Sequence, residues 1–188
     1  YPCPEQFHDW MRTVRDGLYH DLLNKAQNLL AADELQEAEQ VFRQATEMRM
    51  RAGYRIEKDK SEDELESRFR QFRYEELNEE GLRNFEKEEF SNALYYFNKA
   101  YFLERGIILR PYPELPGFRQ AAARQVMEAV LSDGRLKAWA YDFEGAVIAL
   151  GQVKLMLSDY GFNESDTLSV QYFALDSYIH QNQCEKVF

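Results

Sequence analysis

The chain has 188 residues, of which 45% are hydrophobic and 14% aromatic, so it can bury a sizeable core and is too aromatic to be disordered. Its 23 basic and 33 acidic residues give a net charge of −10, which opposes binding to nucleic-acid phosphates or anionic membrane surfaces and favours a basic partner. No apolar run approaches the roughly 18 residues that a membrane span requires, so we expect a soluble domain.

The first predicted element is a pair of helices over roughly residues 4–53. Pro4 suits the first turn of a helix that continues to Leu30. Asp33 has the side chain of a helix N-cap and is predicted to open a second helix that ends near Ala52. These two helices form the first predicted hairpin.

A second hairpin is predicted over roughly residues 61–106. Ser61-Glu62-Asp63-Glu64 matches a capping box, and we expect a long helix from there to about Phe85, with its glutamates facing water. The turn-like stretch Glu86-Lys87-Glu88-Glu89 then leads into the second helix of this hairpin.

A third hairpin is predicted over roughly residues 117–161, after an irregular loop. Three of the five prolines lie between Arg110 and Gly117, so that stretch is not expected to be helical throughout. A helix is expected to restart at Phe118 and to bend or break at Asp133-Gly134. Ser165 or Asp166 then caps a last helix, over residues 165–186, which is expected to cover the end of the array.

The second helix of each predicted hairpin repeats one apolar pattern. Its inward residues fall at i, i+3, i+7 and i+10, which places them on one helix face. Ala38, Ala93 and Ala146 stand 55 and 53 residues apart, so the internal repeat is about 54 residues long. The three sets are Leu35, Ala38, Phe42, Ala45; Phe90, Ala93, Phe97, Ala100; and, more loosely, Phe143, Ala146, Leu150, Val153.

The copies also end alike. Gly53, Gly106 and Gly161 each precede an apolar residue, a pattern typical of a helix that stops with glycine in the left-handed conformation. Within the second hairpin, Gly81 and Ala93 are expected to meet where the two helices cross, because their side chains are the smallest.

These positions resemble those of a tetratricopeptide repeat. The resemblance rests on Gly81, Phe85, Phe90, Ala93, Phe97 and Ala100, nearly as well on Ala26, Leu29, Leu35, Ala38, Phe42 and Ala45, and weakly on Gly134, Phe143 and Ala146. It implies an all-α, right-handed α-solenoid of antiparallel helical hairpins, forming one domain over residues 1–188. The repeat is longer than the family's usual 34 residues, and the family's proline at the end of the second helix is missing, so the solenoid should be irregular.

The resemblance also implies a function. The first helix of each hairpin would line a concave groove that receives a peptide or helix of another protein, and Leu82, Phe85 and Trp139 would be anchor residues. The family's lysine- and asparagine-rich clamp for a C-terminal carboxylate is not reproduced. The candidate groove residues are His20, Leu23, Gln27, Leu30, Glu75, Asn78, Leu82, Phe85, Leu131, Arg135 and Trp139.

No pattern in the chain indicates catalysis or a cofactor. The three histidines form no metal-ligand cluster, and the single Glu5–His8 pair has no second copy of the kind that a di-iron bundle needs. Glycine-rich phosphate loops and nucleophile motifs are absent from the sequence. We therefore expect no catalytic residues, no metal and no cofactor.

The leading hypothesis is a protein-interaction module, either an adaptor or a subunit of a larger assembly. A small-ligand-binding or sensing domain is the alternative, with Tyr95, Tyr96, Tyr101 and Tyr141 around a pocket. An accessory domain of a larger enzyme is a third possibility. A closed apolar cavity would favour ligand binding, whereas an open groove would favour a protein partner.

The two ends of the chain do not determine the cellular compartment of the protein. The chain begins at Tyr1, so we expect a processed protein or part of a longer one, either cytoplasmic or exported after removal of a signal or anchor. Cys3 and Cys184 stand at opposite ends and are expected to be free thiols. An uncapped terminal helix face would allow self-association.

Overall fold

The computed structural model describes residues 4–51, 56–104 and 110–185, and these ranges form seven helices and no strand. The prediction of an all-α protein is thereby confirmed. The helices are α1 (Pro4–Ala31), α2 (Leu35–Met50), α3 (Lys60–Glu86), α4 (Phe90–Glu104), α5 (Leu115–Trp139), α6 (Phe143–Asp159) and α7 (Thr167–Glu185).

The chain divides into two compact units, and the boundary falls within α3. The first unit is Tyr1–Arg73 with Ile107–Arg110, and the second is Tyr74–Gly106 with Pro111–Phe188. The expectation of one domain over residues 1–188 stays a prediction. Each unit is described by itself below.

The first unit is built on the packing of α1 along α2. The first half of α3 joins this core through Leu65 and through a ring contact between Phe42 and Phe69, whose centroids are 5.2 Å apart. The buried core consists of Tyr19, Leu23, Ala26, Val41, Ala45, Ile56 and Leu65.

The second unit is organised around α5. Helices α4 and α6 pack on α5, and α7 packs on both α5 and α6. Phe85 of α3 and Phe97 of α4 approach each other with ring centroids 6.4 Å apart, which brings the end of α3 into the same unit. The largest fully buried side chains here are Tyr74, Phe97, Leu115, Met127, Leu131, Val153, Leu168 and Ile179.

The three short helix connections share one backbone geometry. Asp33, Glu88 and Tyr141 have φ values of 63°, 61° and 64°, a left-handed conformation that non-glycine residues seldom adopt. They stand 55 and 53 residues apart, the same intervals that separate the three alanines of the sequence repeat. The following N–H donates to the carbonyl five residues earlier, in the pairs Glu34–Leu29, Glu89–Asn84 and Asp142–Lys137. The sequence repeat is therefore also a repeat of local structure.

Two predicted helix caps are wrong. Asp33 lies in the left-handed connection, and Glu34 takes the position before α2. Asp59, and not Ser61, caps α3, because its Oδ1 accepts hydrogen bonds from the Ser61 N–H and Ser61 Oγ, both 2.8 Å long. The first N–H groups of a helix have no partner within the helix, and the side chain of Asp59, directly before α3, accepts one of them.

The predicted break at Asp133-Gly134 is also wrong, since α5 continues from Leu115 to Trp139 and includes part of the proline-rich stretch. A Cβ atom at Gly134 would lie 3.1 Å from the Ala149 Cβ of α6. Gly134 is thus a site of close helix contact, and glycine is tolerated inside a helix where packing compensates for its low propensity.

The contact at Gly81 differs in its partner from the one expected. A Cβ atom there would meet the ring of Phe97 at 2.5 Å, so Gly81 accommodates a phenylalanine one turn beyond Ala93. Two of the helix ends that we ascribed to glycine, at Gly53 and Gly106, lie outside the described residues, as does Cys3. Gly161 has a φ of 71°, as predicted.

The final helix begins as expected. Asp166 Oδ1 accepts the N–H of Leu168 at 3.0 Å, and α7 follows from Thr167. Ser165 instead donates to the side chain of Asn163. Of the two residues proposed as the cap, Asp166 is the one that the structure uses.

Candidate interaction groove

An open groove of about 580 Å3 lies in the second unit, where the connection between α3 and α4 faces the first turns of α5. One wall is a continuous segment formed by the end of α3, the turn and the start of α4, and the other wall is the beginning of α5. The lining residues are Phe85, Glu86, Glu88, Phe90, Gly117, Gln120, Ala121, Arg124 and Gln125.

Aromatic rings form the apolar part of the groove. The rings of Phe85 and Phe90 meet edge to face with centroids 5.3 Å apart, and Phe85 meets Phe118 in the same way at 5.8 Å. Phe85 and Phe90 are both half-buried. Edge-to-face contacts of this kind hold ring orientations, so the apolar surface is already formed without a ligand.

One edge of the groove is acidic. Glu86 and Glu88 are both exposed there. On the α5 side the cation Arg124 is balanced, because its Nη2 lies 2.6 Å from Asp166 Oδ2. The N–H of Leu168 and the guanidinium of Arg124 together hold the pKa of Asp166 below its usual value, so that carboxylate stays ionised.

The acidic edge belongs to a larger acidic segment. Residues 75–89 contain seven glutamates and two basic residues, a net charge of −5 out of −10 for the whole chain. A cation near the groove therefore meets a negative local field, which speeds and steers the association of basic partners.

Of the residues predicted to line a groove, Phe85 does so, and Leu82 lies half-buried one turn before it. Three others are buried and are corrections to the predicted set. Leu23 and Leu131 are core residues. Asn78 is 5% exposed, and its Nδ2 donates to the Tyr74 carbonyl at 2.9 Å. A partner cannot contact side chains that the fold itself encloses.

The remaining predicted residues belong to both units, and none of them lines the groove. His20 is exposed, and its Nδ1 lies 3.5 Å from Asp59 Oδ2. Gln27 and Leu30 are half-buried. Arg135 donates to Gln171, and Trp139 is exposed at the end of α5. Glu75 is exposed on α3.

The α5 side of the groove was not predicted from the sequence; it consists of Gly117, Gln120, Ala121, Arg124 and Gln125. The expected helix began only at Phe118, and no local pattern shows that its first turns face the α3–α4 connection. Phe90 was assigned to the core, yet its position directly after the turn was a usable signal of partial exposure.

The first unit has an apolar surface of its own on α1. Phe7, Trp10, Val14 and Leu18 fall at helical spacing and are all exposed. A groove of about 670 Å3 beside Leu18 is lined by Met11, Arg15, Leu18, Leu22, Gln44, Glu47, Met48 and Arg51. Nothing in the described residues indicates what would cover this surface.

The structure also bears on the alternative functions. No three His, Cys, Asp or Glu residues within the described ranges are arranged to hold a metal ion, and none of the described helices has the length and hydropathy of a membrane span. Tyr95 and Tyr141 are exposed, so these two do not enclose a pocket as the ligand-binding hypothesis required.

Comparisons of the chain with protein-family models, with curated proteins and with solved structures found no match.

Proposed function

We propose that the chain is a protein-interaction module that holds a segment of a partner protein in the groove between the α3–α4 connection and α5. The observation that carries this proposal is the pairing of a preformed aromatic surface, Phe85 and Phe90, with the exposed carboxylates of Glu86 and Glu88 in one open groove. Partly exposed aromatic residues at the centre of a surface are the usual anchors of protein interfaces.

The chemistry of the groove defines the class of partner. An apolar side chain of the partner would pack on Phe85 and Phe90, and lysine or arginine residues beside it would face Glu86 and Glu88. Arg124 offers little to an acidic partner because Asp166 already neutralises it. The partner segment is thus a basic, amphipathic peptide or helix.

A tetratricopeptide-like architecture is compatible with this role and is part of the proposal. Three helix pairs with recurring turns, and with buried alanines at intervals of 55 and 53 residues, support hairpins of one kind. The antiparallel, right-handed solenoid that the resemblance implies stays a prediction.

Small-molecule binding is the second candidate, because a groove of about 580 Å3 falls within the range of ligand sites, roughly 300–1,000 Å3. The openness of the groove and its acidic edge favour a peptide over a small apolar ligand, which is usually enclosed on most sides.

The test is a selection of short random peptides on the immobilised protein, followed by affinity measurement of the winners by fluorescence polarisation. Selected peptides should carry an apolar residue flanked by lysine or arginine. Their affinity should fall at least about tenfold on Ala121→Glu, which places a larger charged side chain in the groove, and several-fold on Glu88→Lys.

The matched control is Asp33→Lys, which changes charge at the equivalent left-handed position of the first helix connection, outside the groove. It should leave peptide affinity unchanged. Equal binding to the parent protein and to Ala121→Glu would reject the groove as the interaction site.

A further inference from the structure

Arg119 on α5 is held between two tyrosine rings. Its Cζ lies 4.2 Å from the ring centroid of Tyr101 on α4 and 4.4 Å from that of Tyr160, which follows α6. Two rings this close to one carbon atom cannot occupy the same side of it. The guanidinium is therefore covered from two sides by aromatic faces, which attract a cation.

Hydrogen bonds fix the position of this arrangement. Arg119 Nε donates to Asn98 Oδ1 at 2.7 Å, and Asn98 Nδ2 donates to Tyr160 Oη at 2.8 Å. Gln120, the next residue of α5, donates to the Tyr160 carbonyl at 3.2 Å. Arg119 is thus oriented by contacts from α4 and from the end of α6.

The charge of Arg119 is not balanced by the part of the chain that the structure describes. Arg49 and Arg124 each lie within 3 Å of a carboxylate oxygen, of Glu62 and Asp166 respectively, whereas Arg119 has no carboxylate within 4.0 Å among the described residues. Its described polar partner is the neutral side chain of Asn98, which accepts from Nε, and neither Nη1 nor Nη2 has an acceptor among the described residues.

We propose that Arg119 binds an oxyanion, the carboxylate or phosphate group of a ligand, through Nη1 and Nη2. A guanidinium presents its two Nη groups in the spacing of two carboxylate or phosphate oxygens, and a preoriented arginine loses little freedom on binding. The flanking rings keep water from two sides of the cation, which strengthens the interaction with an anion.

This proposal is independent of the proposed function, because Arg119 is not among the residues that line the groove. The acidic net charge of the chain opposes the approach of a free anion, so the measurement belongs at about 0.15 M salt, where distant charges are largely screened.

The experiment is an NMR titration of the 15N-labelled protein with inorganic phosphate and, separately, with acetate. The Nε–Hε signal of Arg119 is expected to shift and saturate, with half-saturation on the order of 1–10 mM for the preferred anion. Arg135 is the internal control, since it lies on the same helix, is also half-buried and also has a neutral described partner, Gln171.

Variants distinguish binding at Arg119 from a general effect of positive charge on the protein. In the parent protein, the backbone amide signals of Gln120 and Tyr160 should also shift and saturate as the anion is added. Arg119→Met should abolish these shifts, whereas Arg135→Met should leave them unchanged. Tyr101→Leu should weaken binding several-fold, because it removes one ring and keeps the cation. A tighter response to phosphate would indicate a phosphorylated ligand, and a tighter response to acetate a carboxylate-bearing one.

The proposal is overturned if neither anion produces a saturable shift up to roughly 50 mM, or if Arg135 responds as strongly as Arg119. Should Arg119→Met fail to fold, the side-chain signals of the unmodified protein decide the question by themselves.

Discussion

At the scale of single residues, the most consequential arrangement is the buried ion pair of the first unit. Glu62 is 1% exposed and receives Arg49 Nε at 2.8 Å and Arg49 Nη2 at 3.1 Å. The hydroxyl of Tyr19 also donates to this carboxylate and accepts the N–H of Asp59 at 3.2 Å. One glutamate thereby joins α1, α2 and α3.

Replacing Glu62 by Gln is expected to lower the free energy of unfolding by about 3 kcal/mol. The change leaves Arg49, whose side chain is 19% exposed, without a counter-charge, and a buried charge without its partner is strongly destabilising. Urea denaturation measures the effect. Glu64→Gln, at an exposed position of the same helix, is the control and should change stability by less than about 0.5 kcal/mol. Equal losses in the two variants would contradict a special role for Glu62.

Because of the Tyr19 hydroxyl, we expect the stability of the protein to depend on pH in the alkaline range. Burial, aided by the hydrogen bond to Glu62, raises the pKa of Tyr19 from 10.0 to about 12. The unfolded chain therefore loses this proton first, so the stabilisation is complete below pH 10 and is lost as pH rises towards 12. Tyr19→Phe has no proton to lose, so the stability gap between parent and variant should narrow over this range by up to about 2–3 kcal/mol.

Urea denaturation on both sides of pH 10 checks this prediction. Tyr95→Phe is the comparison, because it removes the same hydroxyl at an exposed position. A gap for Tyr19→Phe that stays constant with pH would show that burial of this hydroxyl does not oppose its ionisation.

At the scale of helices, glycine has two opposite roles in this chain. Gly81 and Gly134 lie at contacts between helices, where an added Cβ would press on Phe97 or on Ala149. Gly17 and Gly151 lie inside α1 and α6 with nothing within 4 Å of an added Cβ. The residue type is the same, and only the neighbouring helix decides its effect.

Gly81→Ala should therefore destabilise the protein by about 1–3 kcal/mol, because the Phe97 ring is fully buried and has to move. Gly151→Ala should stabilise it by about 0.5–1 kcal/mol through helix propensity alone. Thermal and urea unfolding of the two variants provide the measurement. If Gly81→Ala were as stable as the parent, α3 and α4 would not be in close contact at this point.

At the scale of the whole molecule, the negative charge of the chain should contribute to the affinity of the groove for a basic peptide. Half of the net charge of −10 lies in residues 75–89, beside the groove. For a basic peptide selected on the protein, affinity should fall several-fold as sodium chloride rises from about 0.05 to about 0.5 M, because salt screens exposed charges. Glu88→Lys should make this dependence shallower.

Ala121→Glu should instead weaken binding at every salt concentration, since its effect is mainly steric. A peptide whose affinity does not depend on salt would show that the apolar surface alone selects the partner and that the acidic segment serves solubility.

The sequence by itself determined the local features of this protein. Helical spacing of apolar residues indicated the helices, although it did not show that α5 continues through Gly134. The recurrence of alanines at 55 and 53 residues indicated three related helix pairs, because this signal too is carried by the local sequence. Predicted caps were less accurate, since the acceptor at a helix start comes from any of several adjacent polar residues, as Asp59 and Ser61 illustrate.

Tertiary structure alone decided which faces of those helices became surface. Periodicity orients a side chain about its own helix axis, but it does not say which other helix lies opposite. For this reason Glu62 is buried although Asp63 and Glu64 after it are exposed, Leu131 belongs to the core, and α5 supplies one side of the groove. The Arg119 arrangement depends on Asn98 and Tyr160, which are 62 residues apart and meet only because α4 and α6 both pack on α5.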